Sequence, residues 1–225
     1  MPSSLVSKDQ IASNLVAIQS RIVAAAEGSG RAADSVTLIA VTKSVGVREV
    51  EILYELGVRH FGENRPEDCG GKVAALPADA VWHEIGNLQR RKAKTAVALF
   101  QRIDAVDRLE LAEELQKRCE ELQLQRGVLI EVNVSGEAAK HGVSPGEVGE
   151  MLASIRTLPS LTVHGLMTMA PFDAPESVLR PVFSGLRQLA EQHALPVVSM
   201  GMTDDFELAI AEGATEVRIG RALFV

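Results

Sequence analysis

Two hydrophobic periods take turns along this chain. Over about 8–27 the apolar residues Ile11, Leu15, Ile18 and Ile22 recur at helical spacing, and Gly28 and Gly30 follow where the pattern stops. The next stretch, 36–41 (VTLIAV), is a short unbroken run rich in β-branched residues, as in a strand buried on both faces. From there the periods alternate. Helices are predicted over about 47–56, 65–76, 89–99, 108–124, 145–158, 175–193 and 204–211. Strands are predicted over 58–61, 81–85, 102–106, 127–134, 161–167, 196–200 and 215–219. Gly57 and Pro77 end two of the helices. Asn64-x-x-Glu67, Asp107-x-x-Glu110, Ser144-x-x-Glu147 and Asp173-x-x-Glu176 read as helix caps with an acidic partner three residues on, and Pro145 suits a first helical position.

Strict alternation implies parallel strands joined by right-handed crossovers. Eight such strands predict an α/β fold, a single (β/α)₈ TIM barrel over residues 1–225 with an extra amino-terminal helix. An open doubly wound sheet is the alternative, disfavoured because no G-x-G-x-x-G follows the first strand. Linkers, low-complexity stretches and repeats are absent from the sequence.

Composition narrows this picture. At 225 residues the chain is long for an average domain but ordinary for such a barrel. It is 46% hydrophobic and only 4% aromatic, which predicts a core of Val, Leu, Ile and Ala. A formal charge of −7 argues against a nucleic-acid partner, and the basic run Arg90-Arg91-Lys92-Ala93-Lys94 reads as a solvated helix start. Cys69 and Cys119 form no CxxC pattern, no apolar run reaches membrane-span length, and Met1-Pro2-Ser3-Ser4 lacks a signal-peptide pattern. Together these predict a cytoplasmic protein that binds neither membrane nor nucleic acid.

Barrel chemistry gathers at the carboxyl ends of the strands. Lys43 follows the most hydrophobic strand, where partial desolvation is expected to favour a neutral amine able to attack an aldehyde. The plainer alternative is a lysine that snorkels out of the barrel end. The loops after the last two strands carry Ser199, Gly201, Thr203 and Gly220, suited either to a phosphate or to ordinary turns with Thr203 as a helix cap. Asp204 and Asp205 would repel a phosphate if they pointed at it. Arg218 lies deep in a strand and needs an acceptor. A cofactor's pyridine nitrogen is one candidate; an ion pair with Glu131 or Glu216 is the other.

Six segments carry a resemblance in the right order. They are Ala40-Val41-Thr42-Lys43, His60-Phe61-Gly62-Glu63-Asn64, Trp82-His83-x-Ile85-Gly86-x-Leu88-Gln89, Gly165-Leu166-Met167, Ser199-Met200-Gly201-Met202-Thr203-Asp204-Asp205 and Val217-Arg218-Ile219-Gly220. From the opening helix to Phe224 the chain resembles the pyridoxal phosphate homeostasis proteins. The resemblance implies a fold-type III barrel like the amino-terminal domain of alanine racemase. It implies pyridoxal 5′-phosphate bound as a Schiff base on Lys43, phosphate held by Ser199 and Gly220, Arg218 facing the pyridine nitrogen, and Asn64 beside the ring. Thr203 and Arg221 complete the expected cofactor-binding set; His83 is given a structural role, and no metal ligand or catalytic residue is expected. Three departures are visible. Arg221 stands where many members have Thr, Asn87 replaces a His or Pro, and Gly70-Gly71 weakens its helix.

The resemblance implies a role in intracellular cofactor homeostasis, without efficient catalysis and with cofactor-dependent apoenzymes as partners. The protein is expected to be a monomer, with a dimer left open. An amino-acid racemase is the main alternative. It needs an acid or base on each face of the reacting carbon. The single tyrosine, Tyr54, is predicted on an outer helix, and the chain stops at Val225 straight after the last strand, so no second domain is expected to supply another. A cofactor-free Schiff-base aldolase and a protein-binding scaffold are further alternatives.

Overall fold

The structure, a computed structural model, describes residues 6–137 and 140–225. The Met1-Pro2-Ser3-Ser4 start lies outside the described residues. The apolar stripe of α1 (Lys8–Gly28) is buried at Ile11, Leu15, Ile18 and Ile22, and the Ser7 hydroxyl caps the helix by accepting the Gln10 N–H. Strands and helices then alternate. In order they are β1 (Thr37–Val41), α2 (Val47–Glu55), β2 (His60–Glu63), α3 (Pro66–Ala75), β3 (Val81–Glu84), α4 (Ala93–Leu99), β4 (Arg102–Val106) and α5 (Leu109–Leu122). There follow β5 (Arg126–Glu131), α6 (Val148–Ile155), β6 (Leu161–Met167), α7 (Glu176–Gln192), β7 (Val197–Ser199), α8 (Phe206–Ala211), β8 (Glu216–Ile219) and α9 (Arg221–Phe224).

The strands are parallel and close in sequence order, with β8 returning to β1 where Leu38 pairs with Val217 and Ala40 with Ile219. The predicted barrel and its extra helix are therefore present. The periodicity did not foresee α9, a single turn that carries Leu223 and Phe224 to α1; there Asn14 Nδ2 donates to the Leu223 and Val225 carbonyls.

Several boundaries move for local reasons. The second strand starts at His60 rather than 58, because Gly57 turns at φ +96° and the Val58 N–H closes the helix end on the Leu53 carbonyl. Of the four predicted caps, Ser144–Glu147 forms, with Glu147 Oε2 accepting from both the Ser144 N–H and its hydroxyl. At the other three helices, Arg65, Arg108 and Pro175 occupy the cap position without a side-chain bond. α8 begins at Phe206, so Thr203 is not its cap; Asp205 Oδ1 accepts the Met202 N–H instead.

The barrel interior is more polar than the composition predicted. Side chains alternate along a strand, which sends Phe61 and Trp82, stacked 5.1 Å apart, to the opposite side from His60 and His83. Arg102 on β4 reaches Glu216 on β8 with Nη1–Oε1 at 2.7 Å; these strands sit across the ring from each other, so the pair spans the interior. Arg102 Nε also donates to Asp104 at 2.6 Å, Asp104 lies 3.1 Å from His83 Nδ1, and His83 Nε2 lies 3.0 Å from His60 Nδ1. Burial would raise the Asp104 carboxyl, but His83 and Arg102 outweigh it and hold it well below the carboxylate range. Burial, aided by His83, lowers His60 to about 4 and keeps it neutral.

Candidate functional site

At the carboxyl ends of the strands a cavity of about 600 Å³ opens. Lys43, Asn64, Thr203, Arg218, Gly220 and Arg221 all line it. Ser199, the remaining predicted residue, is fully buried and does not line it.

Each wall residue has a local cause. Lys43 follows β1 by two residues, and its side chain is exposed rather than partly desolvated as expected. Asn64 follows β2, and its approach depends on Gly86, where an added Cβ would lie 2.7 Å from the Asn64 Cβ. Gly201 turns at φ +89° beside Ala209, where an added Cβ would lie 2.6 Å from its neighbour, and its carbonyl accepts the Arg218 N–H. That turn swings Met202 and Thr203 into the wall.

Arg218 is the decisive group. Its side chain is buried, which lowers its pKa, yet it forms no ion pair among the described residues. The expected alternative partners are accounted for. Glu216 is taken by Arg102, and Glu131, pushed up by burial, forms no ion pair with Arg218. Arg218 instead donates from Nη1 to Ser199 Oγ at 2.7 Å and from Nη2 to the Thr168 carbonyl at 2.9 Å. So the Ser199 hydroxyl is a hydrogen-bond partner of the guanidinium. A buried cation with neutral acceptors on one side and a cavity on the other can meet a further acceptor there.

Two acidic residues lie in the loop after β7. Asp204 points to Arg221, whose Nη2 meets both carboxylate oxygens at 3.0 and 2.9 Å, so Arg221 turns to the rim. Burial raises the Asp205 carboxyl, against the bond it accepts from the Met202 N–H. Sequence reasoning missed the segment after β6, where Met169, Pro171, Phe172 and Asp173 line the cavity and Phe172 is 83% exposed. Of these residues the sequence pattern marked only Asp173, and that as a helix cap; Met169, Pro171 and Phe172 carry no chemistry that periodicity or motif would pick out.

The alanine racemase N-terminal domain family matches residues 6–225. A pyridoxal phosphate homeostasis protein of Aquifex aeolicus is 42% identical over 212 residues, covering 91% of this chain and 92% of its own. The chain belongs to this family. The family's solved relatives include PipY of Synechococcus elongatus with pyridoxal phosphate bound, 32% identical with a TM-score of 0.81, covering 96% of this chain and all of the other. At much lower identity, an alanine racemase of Clostridium difficile is 13% identical with a TM-score of 0.76, a likeness of fold that covers 97% of this chain and 57% of the enzyme.

Proposed function

We propose that this protein binds pyridoxal 5′-phosphate as a Schiff base on Lys43 and serves cofactor homeostasis in the cytoplasm, without efficient catalysis, exchanging the cofactor with dependent apoenzymes. One observation carries the reading: an exposed lysine amine and a buried arginine without a carboxylate partner share the wall of one cavity. The residues fit the group. When bound, the cofactor would supply an aldehyde, and Lys43 would supply the amine that holds it as an imine, with water released. Thr203 and the bare backbone of Gly220 suit its phosphate, and Asn64 suits a place beside its ring. The family relation to proteins named for this cofactor supports the same reading. Among the described residues no helix is long and apolar enough to cross a membrane, and both cysteines are free and buried.

Arg218 argues for holding rather than reacting. Its guanidinium only donates, so it would leave a pyridine nitrogen unprotonated and the ring a weak electron sink. Tyr54 does not line the cavity; its hydroxyl donates to Asp79 Oδ1 at 2.5 Å on α2. Incubating the cofactor-loaded protein with D- and L-alanine in deuterated water should therefore give α-carbon exchange no faster than free cofactor. Rapid Lys43-dependent exchange, with both enantiomers turned over, would overturn the non-catalytic part of the proposal.

Ser199 separates two roles. If it acts through Arg218, Ser199→Ala should weaken pyridoxal phosphate and pyridoxal alike, by about 1–2 kcal/mol, the scale of a hydrogen bond to a charged group. If it touches phosphate, as the resemblance implied, the preference for the phosphorylated form should fall instead. Titrating the variant with both compounds decides between them.

A further inference from the structure

Lys43 forms no side-chain hydrogen bond or ion pair among the described residues, so its backbone sets where its amine can be. That backbone is held unusually firmly one residue earlier. The Thr42 N–H donates to the Gly62 carbonyl at 3.0 Å, as the barrel ladder requires. The Thr42 carbonyl, half of the Thr42–Lys43 peptide, accepts from Lys72 Nζ at 2.7 Å. The Thr42 hydroxyl donates to Glu63 Oε1 at 2.7 Å, and Lys72 Nζ lies 2.7 Å from that same oxygen. The four groups close a ring: carbonyl, ammonium, carboxylate, hydroxyl.

The ring is built from separate elements and kept from water. Thr42 follows β1, Glu63 ends β2 and Lys72 sits on α3. Thr42 and Glu63 are buried, and the Lys72 side chain is only 11% exposed. Burying an ion pair costs desolvation that its attraction roughly offsets, so net stability is a poor account of it. What such a pair does supply is geometry. Both of its members bond to Thr42, and neither lines the cavity.

We propose that Lys72 and Glu63 are positioning residues for Lys43, holding the Thr42–Lys43 peptide so that the lysine amine meets an aldehyde in the cavity at a productive angle. The proposal rests on Lys43 as the attachment lysine. Loss of the ring should slow covalent attachment without altering how phosphate and pyridine are held, because reaction rate depends steeply on the placement of the attacking atom.

The test compares two probes on cofactor-free protein. Pyridoxal 5′-phosphate reports the rate of covalent attachment by absorbance; pyridoxine 5′-phosphate, an alcohol where the other is an aldehyde, reports non-covalent affinity alone. Lys72→Met should slow attachment at saturating cofactor by about tenfold or more, with pyridoxine phosphate affinity within about twofold of wild type. Lys72→Arg, which keeps donors to both oxygens, should recover much of the rate. A folded Lys72→Met that attaches cofactor at the wild-type rate overturns the proposal, as does one that loses both measures in proportion. Should Lys72→Met not fold, Glu63→Gln keeps the acceptor for Thr42 and removes the charge; an unchanged rate there overturns the proposal equally. Lys43→Ala distinguishes the underlying reading: wild-type attachment in that variant means that another lysine is the site, whatever Lys72 does.

Discussion

Borohydride reduction of the cofactor-loaded protein should leave one pyridoxyl group per chain, on the Lys43 peptide, and Lys43→Ala should lose that stoichiometric label. The argument is one of access and competition. Lys43 is the lysine that lines the cavity. Three other lysines are engaged elsewhere. Lys72 is held between Glu63 and the Thr42 carbonyl, Lys92 pairs with Glu67, and Lys140 donates to the Met169 carbonyl and pairs with Glu137. An amine already bonded as an ammonium must give up both a partner and a proton before it attacks. Lys43 has no such partner among the described residues, and it would react with an aldehyde held beside it, at an effective concentration far above any in solution. A label found mainly on Lys92 or Lys140 of the wild-type protein would remove Lys43 from the site.

A second large effect concerns stability and has its source at Glu84. This residue is fully buried beside Glu63 in the β2–β3 register, with Oε1 accepting the Gly86 N–H at 3.0 Å and Oε2 without a partner. Burial pushes its carboxyl up to about 8, with Glu63 and Asp104 adding to the rise and the Gly86 bond opposing it. Between the ordinary glutamate value of 4.5 and about 8 the folded protein therefore keeps a proton that the unfolded chain releases. With more protons bound to the native state, stability falls as pH rises through that window, at up to about 1.4 kcal/mol per pH unit. Relaxation of the site reduces the total, which is still on the order of a few kcal/mol. Glu84→Gln keeps the shape and the acceptor for Gly86 but cannot ionise. In urea unfolding of the cofactor-free protein, the variant should match the wild type near pH 5 and exceed it by a few kcal/mol near pH 8. A constant difference between the two across this range would show that Glu84 does not hold the proton.

Much of this molecule is legible along the chain. Alternating periods imply parallel strands, and parallel strands with helical crossovers close into a barrel whose chemistry lies at one end. That reasoning is local, and it reached Lys43, Thr203, Arg218 and Gly220 as residues that follow or end strands; the resemblance added Asn64 and Arg221, and all six line the cavity. What it could not reach is pairing across the ring. Periodicity tells which side of a strand a residue uses, and leaves open what faces it from a strand far away in sequence. Glu216 was a candidate partner for Arg218, yet closure of the barrel brings it to Arg102, 114 residues away. Ser199 was a candidate phosphate ligand, and its hydroxyl accepts from the Arg218 guanidinium on the neighbouring strand, a contact that the sequence pattern does not mark. The ring formed by Thr42, Glu63 and Lys72 joins two strand ends to a helix and has no signature along the chain. Buried polar groups take whichever partner folding leaves within reach, because leaving them unpaired costs too much, and that choice is made in three dimensions.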